Sequence, residues 1–103
     1  MFIRVTETGK PGFQLRKGEE GLSVFDTEAV EPPLADAEIL EAFRADSQLI
    51  SRSRDEIEAK GLVVVPVPGS ASLPSRLCNA HAEIRFGSGM TRGQFKKALQ
   101  EIE

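Results

Sequence analysis

Apolar and polar residues alternate strictly from Asn79 to Phe86. Ala80, Ala82, Ile84 and Phe86 fall on one side of an extended chain, and Asn79, His81, Glu83 and Arg85 on the other. That period of two predicts a strand with one buried row. Its two small alanines leave room for a helix packed closely above them. Shorter strands are expected at Phe2–Val5, at Gly21–Phe25 and at Gln48–Ser51. Phe13–Arg16 reads as a further extended piece. Leu62–Val67 is almost continuously β-branched, as in a strand covered on both faces. Pro66 within it lacks a ladder donor, so it marks a sheet edge or the end of pairing.

Helical spacing occurs in three places. Asp36 is placed to cap a helix running to about Ala45, with Ile39, Leu40 and Phe43 as its apolar stripe. Ser53 and Glu56 have capping-box spacing, so a short helix starts at Arg54 and stops at Gly61. There, Ile57 and Leu62 can make the apolar contact of a left-handed helix ending. Thr91 and Gln94 form a second capping box, with Met90 and Phe95 as a hydrophobic staple. Phe95, Ala98, Leu99 and Ile102 are that last helix's buried stripe. Pro68–Leu77 reads as an irregular surface loop. The element order predicts an α+β fold: one domain over 1–103, a small, mostly antiparallel sheet, and two or three helices mainly on one face.

Composition narrows the class further. The chain is 103 residues long, 40% hydrophobic and 28% charged, with neither Trp nor Tyr. Its core is therefore aliphatic with a few phenylalanines. A net charge of −3 gives no overall electrostatic footprint for nucleic acid, although Arg52 and Arg54 lie close together. The lone Cys78 cannot close an intramolecular disulfide, which fits a reducing, cytoplasmic setting. The first residues lack the apolar run of a secretory signal. The longest apolar stretch, Leu62–Pro68, is too short to span a bilayer.

The candidate chemistry lies on the polar row. His81, Glu83 and Arg85 combine a group that titrates near neutrality, a carboxylate and an anion-binding guanidinium. Neighbours in that row are about 7 Å apart at their Cα atoms, a spacing at which they can act on one ligand without bonding each other directly. A solvated strand face explains the same residues. Cys78 and His81 have Cys-x-x-His spacing with Glu83 nearby, but one Cys and one His do not complete a zinc tetrahedron, so no metal is expected. No cofactor is expected either. The glycines at 18–21 and 87–89 match no phosphate-loop spacing. Ser23 sits between Leu22 and Val24 and so faces away from them, and no nucleophile-elbow motif surrounds it.

Two resemblances follow from these motifs. Gly21-Leu22-Ser23-Val24-Phe25, Gly61-Leu62-Val63-Val64 and Ala80-His81-Ala82-Glu83-Ile84 before a capped helix resemble a group of small bacterial proteins. That resemblance implies a bacterial source and adds weight to Ser23, His81 and Glu83, but no activity. Arg4, Ser23 and Glu83 also resemble, in order, the basic residue, serine and glutamate of ADP-ribosyltransferase folds. The chain departs from those folds in its short length, its lack of paired Ser-Thr-Ser residues and its lack of tyrosine. Two expectations result. One is a non-enzymatic interaction or accessory module that meets another protein, with no nucleic acid or membrane partner. The other is a small nucleotide-binding or ADP-ribosyltransferase-like enzyme using Arg4, Ser23, His81 and Glu83, with Arg85 binding ligand.

Overall fold

A computed structural model describes residues 1–69 and 72–103. Strands β1 (Phe2–Glu7), β2 (Gly21–Asp26), β3 (Ser47–Arg52), β4 (Val63–Pro66) and β5 (His81–Arg85) form one sheet in the order β3-β1-β2-β5-β4. Every neighbouring pair is antiparallel. The helices are α1 (Asp36–Glu41), α2 (Arg54–Glu58), α3 (Ser75–Ala80) and α4 (Arg92–Ile102). The fold is α+β. Among the described residues, no helix is long and apolar enough to cross a membrane.

The pleat divides the core in two. Leu22, Val24, Ala82 and Ile84 bury against Phe95, Ala98 and Leu99 of α4 and Ile57 of α2. The opposite side buries Ile3 and Phe25 beneath Ile39 of α1 and Leu77 and Ala80 of α3. Phe13 and Leu15 are buried in the first core while Gln14 and Arg16 stay exposed, so the Phe13–Arg16 segment alternates as expected without entering the sheet. The longest helix, α4, carries both halves of its capping box, as does α2. Gly61 follows α2 with φ +79°, and its N–H donates to the Glu58 carbonyl.

Four local expectations are corrected. Strand β5 begins at His81, because Asn79 and Ala80 belong to α3. Leu77 and Ala80, three residues apart, form a helical stripe, and alternation over so few residues does not distinguish the two periods. The irregular stretch 68–77 accordingly gives way to helix at Ser75, while residues 70 and 71 lie outside those described. Strand β4 is a sheet edge, as Pro66 allowed, but it is not covered on both faces: Val63 is 42% exposed. In α1 the N-cap position is Ala35, with no side-chain bond, and Asp36 is the first helical residue. That helix stops at Glu41, which leaves Leu40 exposed and only Ile39 buried.

Candidate functional site

The sheet is continuous on either side of one split. β1 pairs with β3 over its whole length, from Phe2↔Arg52 to Glu7↔Ser47. β2 pairs with β5 from Gly21↔Arg85 to Phe25↔His81. Between β1 and β2, however, the register holds only at Phe2↔Asp26 and Ile3↔Phe25. Beyond Ile3 the two strands diverge, and inner backbone groups lose their ladder partners. Arg4 enters this gap. Its Nη1 donates to the Ser23 carbonyl at 2.9 Å and its Nε to the Gly12 carbonyl at 2.8 Å. A guanidinium suits the place because its donors fan out in a fixed plane. Burial lowers the Arg4 pKa; the nearby Arg16 charge lowers it further, and Glu19 opposes the shift.

The split opens a hollow of about 270 Å³. Arg4, Ser23, Phe25, Phe43, Leu73 and His81 are among the residues lining it. Two aromatic contacts shape its floor: Phe25 meets Phe43 edge-on at 5.9 Å and His81 at 5.8 Å between ring centroids. His81 Nδ1 lies 2.8 Å from the Val67 carbonyl oxygen. A carbonyl only accepts, so Nδ1 carries the hydrogen, and in the neutral ring Nε2 is the acceptor. The Val67 N–H returns a bond to the His81 carbonyl, so the ring is held by the residue that follows the neighbouring strand β4.

The sequence-selected residues therefore divide. Arg4, Ser23 and His81 line one hollow. Glu83 shares the face and is the register partner of Ser23. Its carboxylate leans away, accepting from Arg85 Nε at 2.9 Å and lying 2.8 Å from where a Cβ on Gly21 would stand. Arg85 is thus committed to Glu83, and both border a separate recess of about 490 Å³ with Glu20 and Phe86. Cys78 Sγ donates to the Leu73 carbonyl at 3.2 Å. Among the described residues, no group of three or more His, Cys, Asp or Glu side chains is placed to hold a metal ion. Arg52 and Arg54 form no open basic patch. Arg52 donates to the Ile102 and Ser51 carbonyls and lies over Phe13, and Arg54 lies over Phe2.

Sequence reading missed the aromatic part of the site. Phe43 looked like a member of the α1 stripe and Phe25 like the end of a strand. Neither carries a local signal for a hollow, since only the split in pairing creates one. No family model, no curated protein and no solved structure matches the chain.

Proposed function

We propose that this chain is a small ligand-binding domain of the nucleotide-binding kind, with its site in the split between β1 and β2. One observation carries this reading: Arg4, Ser23 and His81, from three different strands, meet around one hollow with two phenylalanine rings. Aromatic edges and faces suit a flat ring, and Ser23 and His81 Nε2 supply polar contacts at its rim. About 270 Å³ lies just below the usual range of small-molecule pockets, enough for a base or a pyridine ring but not for a large ligand. Binding is better supported than group transfer. The ADP-ribosyltransferase-like version needs the Glu83 carboxylate over the hollow, whereas Arg85 draws it toward Gly21.

The test is a titration of the full chain with adenosine and with nicotinamide riboside, followed by backbone amide shifts. The expected response is confined to β1, β2 and the start of β5, and Ser23→Leu, which fills the hollow, removes it. A response elsewhere, or none at millimolar nucleoside, overturns the reading. The accessory-module reading keeps one specific support. β4 ends the sheet with an exposed valine, an edge to which a partner strand can add. Under that reading the nucleosides are silent and Val63→Lys disrupts assembly. A cytoplasmic setting belongs to either version and rests on the single cysteine.

A further inference from the structure

A second hollow, of about 280 Å³, adjoins the first and shares Arg4, Val5 and Phe43 with it. Its charge is out of keeping with an acidic chain. Arg4, Lys10, Arg16 and Arg44 line it, and among the described lining residues Glu7 is the only acid. Lys10 takes up Glu7 at 2.8 Å. The Glu7 carboxyl is held below its ordinary range chiefly by that bond, with Arg44 and Arg16 adding to the effect. Within the described lining one carboxylate faces four cations, while Glu19 acts on Arg4 and Asp46 on Arg44 from outside it. Arg44 reaches Asp46 only at 3.6 Å, with both side chains largely exposed. Arg4 donates to two neutral carbonyls, which occupy two of its five hydrogens and carry no countercharge. Glu19 lies outside the lining, and its carboxylate accepts the Arg16 backbone N–H at 2.8 Å.

The backbone beneath one of these cations is also fixed. Arg92 of α4 donates to the carbonyls of Arg16 and Glu19 at 2.8 and 2.6 Å, which fixes the turn that carries Arg16. Like charges gathered around a concavity repel each other unless an anion sits among them. Oxygen-rich anions with several acceptors meet the donors of arginine and lysine best.

We infer that this second hollow takes the phosphate or diphosphate of the ligand whose ring occupies the first, with Lys10, Arg16 and Arg44 as its anion contacts. The inference rests on the ring-binding reading for its nucleotide form. The anion site itself also admits free phosphate or pyrophosphate. The shared lining residues set the two hollows side by side.

The experiment titrates the full chain with adenosine, inorganic pyrophosphate and ADP, each followed by amide shifts. ADP is expected to bind about tenfold or more tightly than adenosine, the gain of one charge-assisted hydrogen bond. The double variant Lys10→Gln/Arg16→Gln, both positions being exposed, is expected to lose that gain and the pyrophosphate response while keeping the adenosine response. Its amide dispersion reports whether it folds. ADP no tighter than adenosine, or pyrophosphate binding that the double variant leaves intact, overturns the anion site while the ring hollow stands. Pyrophosphate binding that the variant abolishes, with adenosine silent, keeps the anion site for free phosphates and removes the ring-binding reading.

Discussion

Arg4 shows how one side chain closes a fault in a sheet. It supplies donors to the Ser23 carbonyl of β2, which β1 no longer reaches, and to the Gly12 carbonyl of the intervening loop. Arg4→Met removes both donors at a half-buried place and is expected to cost about 1–3 kcal/mol. A urea midpoint equal to that of the wild type would mean that water serves those carbonyls instead. Arg4→Lys is expected to recover only part of the loss, because one ammonium cannot reproduce the guanidinium fork. The face assignment of Ser23, His81, Glu83 and Arg85 was legible from the period of two alone. What each does on that face was not. His81 is tied by Val67, Glu83 by Arg85, and Ser23 is left at the open rim, and these partners come from the fold.

At the scale of elements, the caps and corners fix where each segment begins and ends. Thr91→Ala removes the side-chain acceptor for the Gln94 N–H and should cost about 1 kcal/mol in a denaturant titration. Gly61 and Gly87 hold the corner after α2 against the end of β5: a Cβ on Gly87 would collide with the Gly61 carbonyl oxygen. Gly61 needs glycine for its positive φ and Gly87 for the close approach of the Gly61 backbone. Helices α1 and α3 are joined by Arg76, which donates to Glu38 at 2.6 Å and to the carbonyls of Glu31 and Pro32. That bond holds the Glu38 carboxyl below its ordinary range. A carboxyl lowered in the folded state contributes stability above its unfolded value and loses it as the pH falls through the folded one. Glu38→Gln should therefore be less stable than wild type near neutrality, and the gap should narrow once the pH drops below about 4.3. Parallel stability curves for the two proteins would show that the pair contributes nothing.

At the scale of the whole molecule, one sheet carries two unequal cores, one on each face, and a split between two of its strands. Helix α4 and Ile57 cover one face, where Ala82 provides the shallow place beneath Phe95 and Leu99. Ala82→Leu is expected to overpack that face by about 1–3 kcal/mol, read as a lowered melting temperature. Among the described residues, the other face is covered by two short helices and by Leu34 of the loop before α1, and the hollows open beside them. A ligand seated there binds the folded state alone. At a hundredfold excess over its dissociation constant it stabilises that state by about 2.7 kcal/mol. The melting temperature should rise with such a ligand in the wild type and not in Ser23→Leu.

The sequence by itself determined the local features of this protein. Two capping boxes, a glycine after α2, the stripe of α4 and the inward row of Ala82 and Ile84 all follow from spacing within a few residues, where steric and hydrogen-bonding rules act without help. It also set the α+β class, because the order of those elements admits little else. Boundaries between weak elements were not legible. Leu77 and Ala80 serve a helix where alternation suggested a strand, and Leu40 faces solvent where the stripe put it inside. Only the tertiary structure decided that β1 and β2 part after Ile3, that Arg4 fills the gap, and that Phe25, Phe43, Lys10, Arg16 and Arg44 gather beside it. These depend on which strands become neighbours and how far their pairing extends. Pairing over long separations is a balance across the whole sheet, and no short window of sequence records it.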